Sequence, residues 1–235
     1  MIVCRKFFGL LNTLTDIIVL LVSIVMLLIG MYSIYDSYLV YMGANDDSLL
    51  KYKPGYGQDE EDNREILPNM VAWLTVEDVS IDYPVMQGND NIEFLNKNPF
   101  GDYSLSGSIF VDSRNTKDFS DKYNILYGHH MEGGGMFGVL DEYYKEGFLE
   151  QHNKGTLTVD DKVYKIRLFA IFQTDATNDV VFSVETPVEK IYEYAKKNSE
   201  HIDDSYVFKK TDKLIALSTC RYPDTTERTV VLGVI

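Results

Sequence analysis

Cysteine is scarce in this chain: Cys4 and Cys220 are the only two in 235 residues. A fold stapled by several disulfides is therefore excluded, and any thiol chemistry must rest on one of two positions. Basic residues are also in short supply, 22 Lys and Arg against 36 Asp and Glu, for a formal net charge of -14. A field of that sign repels phosphate backbones, which argues against nucleic-acid binding. There are four histidines and no internal repeat or low-complexity tract. Only one apolar run is long, and it lies near the N-terminus.

Residues 17–35 carry no charge, and apolar residues extend back to Phe7 around a lone Asp16. A helix needs about 20 such residues to cross the hydrocarbon of a bilayer, so this run is expected to span. Arg5 and Lys6 precede it; Asp36, Asp46 and Asp47 follow. The positive-inside tendency then puts the N-terminus in the cytoplasm and the rest of the chain outside. A cleaved signal peptide has an apolar region of about 7 to 15 residues ending at a small-residue site, and Gly30-Met31-Tyr32-Ser33 is a poor one. An uncleaved anchor is the better reading. The expected organisation is a cytoplasmic N-terminus over residues 1–6 and an anchor over 7–35. A helical stalk with an acidic linker would occupy 36–65, and one extracellular domain 66–235. On this topology Cys4 and Cys220 cannot be joined within one chain.

Beyond the linker the pattern is one of short strands. Residues 71–74 and 79–83 read as the first two, closed by Pro84, which cannot donate to a ladder. A short helix is expected over 91–95, strands over 107–112 and 124–127, and a short helix over 136–143. Two further strands, 156–159 and 163–174, turn at Asp160-Asp161, the longer one alternating around Ile166, Leu168 and Ala170. Residues 175–212 change character. Thr186-Pro187 opens a helix as N-cap and first position, with Ile191, Tyr194 and Ala195 as its buried stripe. Residues 213–220 and 228–235 then resume the sheet. The expected class is mainly β, a closed or nearly closed eight-stranded antiparallel barrel with peripheral helices, because closure removes exposed edges.

The chemistry-bearing residues lie at strand ends. Cys220 closes the run Ala216-Leu217-Ser218-Thr219-Cys220, Arg228 opens the next, and His129 follows Tyr127-Gly128. A thiolate is the nucleophile, and a free cysteine with a pKa near 8.5 needs a cationic neighbour to supply it at neutral pH. A charged His129 could do so and then return its proton to a leaving amine. Arg228 could stabilise the thiolate or an oxyanion. The bland alternatives are a buried, inert cysteine, a capped loop histidine and a solvated edge arginine, with Arg221 as a decoy. His129, His130 and Glu132 invite a metal reading. Adjacent strand residues point to opposite faces and no cysteine lies nearby, so neither metal nor cofactor is expected. His152 and His201, in polar segments, read as surface residues.

The set Tyr127-Gly128-His129, Leu217-Ser218-Thr219-Cys220 and Arg228, in that order at strand ends, resembles the sortase family of cysteine transpeptidases over residues 70–235. The N-terminal anchor, the lack of a C-terminal membrane segment and the helix-bearing insertion before the cysteine strand are similar to class B. The resemblance implies a sortase β-barrel on the surface of a Gram-positive cell. It implies a peptidase-like reaction in which Cys220 attacks a threonine carbonyl in the sorting signal of an exported protein. His129 would serve as acid and base, Arg228 would orient the substrate, and Ser218 and Thr219 would line its site. An amine of a peptidoglycan precursor would resolve the thioacyl enzyme, or a pilin lysine if the enzyme polymerises pili. The rivals are a plain cysteine protease and, from another class, a non-catalytic surface-binding barrel.

Overall fold

The computed structural model describes residues 2–44, 47–55, 67–220 and 225–235. The chain divides into two compact units, Met1–Met42 and Gly43–Ile235.

The first unit is helix α1 (Ile2–Ala44), which continues through Asp36 into the expected stalk. Val19, Leu20, Leu21 and Val22 are all more than half exposed. Successive helical residues are turned by about 100°, so these four apolar side chains cover the whole circumference. A water-soluble helix reserves one apolar face for a core; this helix has no polar face to offer water. The hydroxyls of Thr13, Thr15 and Ser23 donate to the carbonyls of Gly9, Leu11 and Val19 one turn back, so the helix satisfies them without water. With a mean hydropathy of 2.8 over its most apolar window, α1 is a candidate membrane span.

The second unit is a barrel. Its strands are β1 (Met70–Val76), β2 (Asp82–Met86), β3 (Ile109–Val111), β4 (Tyr123–Tyr127), β5 (Lys154–Val159), β6 (Lys162–Asp175), β7 (Ser199–Ile202), β8 (Leu214–Cys220) and β9 (Glu227–Val234). They neighbour one another in the order β5-β1-β2-β3-β4-β8-β9-β6, and β6 pairs back onto β5 to close a ring of eight. The length of β6 makes closure possible: Lys162 to Arg167 pair with β5, and Arg167 to Asp175 with β9. Strand β7, unforeseen in the sequence, adds to β6 outside the ring.

The ring is not wholly antiparallel as expected, because β2–β3 and β4–β8 run parallel. Parallel neighbours cannot be joined by a tight hairpin, and the long segments 87–108 and 128–213, the second carrying β5, β6 and β7, connect them instead. Pro84 lies within β2 opposite Trp73 rather than ending the strand. Since β3 meets β2 only at Val85 and Met86, the proline's missing N–H has an open edge to face.

Alternation sorts the side chains into an inner core and two outer layers. Leu126, Ile215, Leu217 and Val231 face the barrel interior with Leu74, Val85 and Ile166. Ile125, Leu214, Ala216, Val230 and Leu232 face outward and are equally buried, under Val181 and the helix α3 (Val188–Asn198), the short α2 (Phe148–Gln151) lying before β5. Burial on both faces explains why the last two strands read as unbroken apolar runs. Helix α3 begins one residue later than expected, with Pro187 rather than Thr186 at its N-cap. Ile191 and Ala195 are buried as foreseen, whereas Tyr194 is half-buried and its hydroxyl hydrogen-bonds with Thr174 and Asn178. On the opposite flank, a 3-10 helix at Asp47–Tyr52 buries Leu49 and Tyr52 with Trp73, Met86, Phe94 and Phe110. The barrel's core thus reaches upstream of Ile66. The acidic linker lies largely outside the described residues.

Candidate active site

His129 owes its position to the join between β4 and β8. Tyr127 pairs with Ser218, and the Gly128 N–H donates to the Ser218 carbonyl at 3.1 Å. A Cβ on Gly128 would stand 2.4 Å from Ile109 Cδ1 and 2.8 Å from the Phe137 ring, so packing demands this glycine. The imidazole Nε2 lies 2.7 Å from the Leu95 carbonyl. A carbonyl can only accept, so Nε2 carries the hydrogen. In the neutral ring Nδ1 is then the basic nitrogen.

Strands β8 and β9 supply the facing wall. Cys220 is the last residue of β8 and the register partner of Arg228, while Thr219 pairs with Thr229. Arg228 is half-buried and donates from NH1 to the carbonyls of Thr225 and Glu227, at 3.3 and 3.1 Å. Its strand start is braced by Asp175, whose carboxylate accepts from the hydroxyl and backbone of Thr177 and from the hydroxyl of Thr226. Those bonds hold Asp175 down to about 2. Ser218 and Thr219 are buried, and neither hydroxyl oxygen has a hydrogen-bond partner among the described residues. Buried hydroxyls are ordinarily satisfied, so unpaired ones mark where a polar ligand group fits.

His129, Ser218, Thr219 and Arg228 line one cavity of about 390 Å³. Four of the five residues singled out in the sequence therefore share a space, and the fifth, Cys220, follows Thr219 on the same strand. Tyr127 and Gly128, beside His129, also line it, as do Ala176 and Phe182 from the insertion 175–212, which as a long segment at the barrel rim was expected to wall a peptide groove; Asn91 and Leu95 before β3, Phe110 on β3 and Arg114 after it were not foreseen. Arg114 had a legible signal, since it stands two residues after Asp112, just beyond an apolar strand. Burial works against the Asp112 charge, but the hydrogen bonds of Arg114 and Tyr127 prevail and hold this carboxyl below the usual range. Burial and the adjacent Asp112 raise the Tyr127 phenol well above its ordinary value.

His129 and His130 have separate surroundings. His130 Nε2 pairs with Asp141 at 2.8 Å, outside the cavity lining. The two rings do not converge on a common ligand site. His152 and His201 are half-buried rather than superficial. The His152 ring lies 4.2 Å from that of Phe148, and His201 Nε2 donates to the Tyr144 carbonyl. Arg221 falls outside the described residues.

A protein-family model described as the Sortase domain matches residues 74–235. The chain belongs to the sortase family. Sortase B of Listeria monocytogenes is 35% identical over 170 residues, covering 71% of this chain and 69% of that protein. Sortase B of Staphylococcus aureus is 32% identical over 190 residues, covering 78% and 75%. A Streptococcus pyogenes class B sortase superposes with a TM-score of 0.65 at 37% identity, covering 71% of this chain and 91% of that one. This sortase is accordingly of class B and a cysteine transpeptidase by family, built on the closed eight-stranded barrel that the sequence led one to expect.

Proposed function

We propose that this sortase is a single-pass membrane protein whose external barrel cleaves a C-terminal sorting signal after threonine and joins the acyl fragment to an amine of a cell-wall precursor. The observation that carries this reading is the imidazole of His129, held through Nε2–H on the Leu95 carbonyl in a cavity shared with Arg228, Ser218 and Thr219. That leaves Nδ1 to exchange a proton with Cys220, which closes the strand next to Arg228. The thiol proton passes to Nδ1 and the sulfur attacks the threonine carbonyl carbon. Arg228 bears on the oxyanion so formed. The intermediate collapses with cleavage of the C–N bond, and His129 returns the proton to the departing amine. An incoming amine then attacks the thioester, loses a proton to His129 and expels the thiolate. Ser218 and Thr219 hold the peptide. Each proton in this sequence passes through His129.

A sortase B of Staphylococcus aureus has been crystallised with substrate, and a sortase B with triglycine, which supports a peptide donor and an amine acceptor as the two partners. The Streptococcus pyogenes relative is a class B sortase involved in pilus biogenesis, and it favours a second reading in which a pilin lysine is the acceptor. A membrane tether raises the effective concentration of the thiol near substrates that are themselves membrane-held.

The test incubates the full-length sortase in detergent with a library of threonine-containing signal peptides, alone and with triglycine, a peptidoglycan stem amine or a pilin lysine peptide. Transfer of the acyl fragment to the stem amine is expected. Transfer to the pilin lysine alone would favour the second reading, and hydrolysis indifferent to every amine would leave a protease. Topology has its own readout. In intact cells a charged methanethiosulfonate should modify Cys220 and spare Cys4; the reverse pattern would invert the orientation.

A further inference from the structure

We infer that Arg114 is a specificity-determining residue of this sortase, donating from the free edge of its guanidinium to a neutral carbonyl oxygen of the bound peptide. The inference rests on the proposed reading of the cavity as a peptide site.

The position of Arg114 is fixed by a carboxylate that solvent does not reach. Asp112 has a fully buried side chain, and Arg114 meets it as a fork, Nε to Oδ1 at 2.8 Å and NH2 to Oδ2 at 2.7 Å. The backbone N–H of Arg114 adds a third bond to Oδ1 at 3.0 Å. Asn91 Nδ2 and the Tyr127 hydroxyl hold Oδ2 at 2.9 and 3.0 Å, so the anchor itself cannot swing. A bidentate pair of this kind sets the plane of the guanidinium as well as its place.

The remaining donors divide unequally. NH2 also reaches the Phe182 carbonyl at 2.8 Å, tying the loop after β6 to the end of β3. The Nε hydrogen and both NH2 hydrogens are thereby committed. No hydrogen bond from NH1 is seen among the described residues, and the Tyr127 hydroxyl beside the guanidinium helps to hold the fork. Yet the Arg114 side chain is 51% exposed and lines the cavity. A purely structural arginine would account for the fork and for the Phe182 bond. It would not account for an immobilised, half-exposed pair of donors at the wall of the site.

Charge and spacing narrow what those donors meet. The Arg114–Asp112 pair is neutral as a whole, so an incoming carboxylate would face the Asp112 charge behind the guanidinium, whereas a main-chain or carboxamide oxygen would not. Arg114 follows the end of β3, level with the start of β4, whereas Cys220 ends β8 beyond Ser218, the partner of the last residue of β4. The two backbones are separated along the strands as well as by two strand spacings of about 5 Å each. The contact therefore falls several residues from the scissile threonine.

The experiment profiles the full-length enzyme against a peptide library varied around the threonine, comparing wild type with Arg114→Met and Arg114→Lys. Arg114→Met should raise KM about tenfold or more, as expected for losing a hydrogen bond from a charged donor. It should change kcat little and flatten the preference at one position, several residues from the threonine. Arg114→Lys keeps the charge without the fork, and should not restore that preference; a merely charge-balancing role would be rescued by it. Methanethiosulfonate modification of Cys220 at the wild-type rate shows that each variant is folded. Should Arg114→Met not fold, Arg114→Gln, neutral and still able to donate to Asp112, gives the same comparison. A variant with unchanged KM and preference overturns the inference, as does a wild-type preference for Asp or Glu at that position. A wild type that cleaves no threonine peptide overturns the peptide reading and, with it, this one.

Discussion

Replacing Gly107 by alanine should damage catalysis from a residue outside the cavity lining. Gly107 has φ +60°, and a Cβ there would stand 2.5 Å from the Leu95 carbonyl oxygen and 2.8 Å from that of Phe94. Both are backbone atoms, which cannot rotate away as a side-chain tip could. To restore ordinary contact the 94–95 segment must retreat by roughly half an ångström or more, given how steeply close contacts are penalised. The Leu95 oxygen is the acceptor that fixes His129, at 2.7 Å, and the same retreat takes that bond towards the limit of useful length. Left-handed backbone costs an alanine about 1 to 2 kcal/mol, and overpacking about 1 to 3 more. Misplacement of a catalytic group by a fraction of an ångström costs about tenfold in rate, since a full ångström costs about a hundredfold.

Gly101 is the matched control. It also has a positive φ, +91°, but a Cβ there would meet nothing within 4 Å. Gly101→Ala should lose stability through backbone strain alone and keep its turnover per folded molecule. Thermal denaturation and kcat, measured on both variants at a temperature where each is folded, separate the two effects. Wild-type kcat in folded Gly107→Ala, or an equal loss in Gly101→Ala, would refute the link from Gly107 through Leu95 to His129.

Three further outcomes follow from the same structure. His129→Ala should abolish turnover while His130→Ala retains most of it, because only His129 lines the cavity; steady-state kinetics with a cleavable peptide decides, and the opposite result would exchange their roles. The Asp112 carboxyl is held below its unfolded value near 3.9, so the folded chain binds fewer protons there than the unfolded chain. Its stabilisation is complete above about pH 4 and is lost as pH falls through the lower folded value. Denaturant melts at about pH 7 and pH 3 should show Asp112→Asn weaker at neutral pH and less sensitive to acid, and equal acid sensitivity would count against the pairing. Ile191 on α3 is fully buried in the outer layer that α3 forms over β6, so Ile191→Ala should cost about 2 to 5 kcal/mol in chemical denaturation. A loss under about 1 kcal/mol would mean that α3 is a loose cover.

Much of this was legible in the chain because its signals are local. Turn residues bracket the strands, and the runs ending at Tyr127 and Cys220 have the length and bulk of buried β-structure. The stripe of Ile191 and Ala195 has helical spacing. What was not legible depends on contacts between distant segments. Nothing around Asn124 or Ile215 says that β4 and β8 run parallel, since that orientation is set by the excursion between them. Strand β7, Ser-Glu-His-Ile, is too short and polar to announce itself and exists because β6 offers an unused edge beyond β5. The burial of Leu49 and Tyr52 reflects Phe94 and Phe110, which lie far along the sequence. In the candidate site, His129, Ser218, Thr219 and Arg228 could be picked out by residue type, whereas Asn91, Leu95 and Phe182 carry no chemical signature. Leu95 contributes only a carbonyl, which every residue has.

Intact-protein mass spectrometry of the full-length sortase with a cleavable threonine peptide and no amine tests the central claim most directly. A thioacyl adduct should accumulate on Cys220 in the wild type and discharge when triglycine is added. It should be absent in Cys220→Ala and fail to form in His129→Ala and Arg228→Ala, even though all three variants melt like the wild type. An adduct that forms at the wild-type rate without His129 or Arg228, or that appears on any residue other than Cys220, would contradict the account.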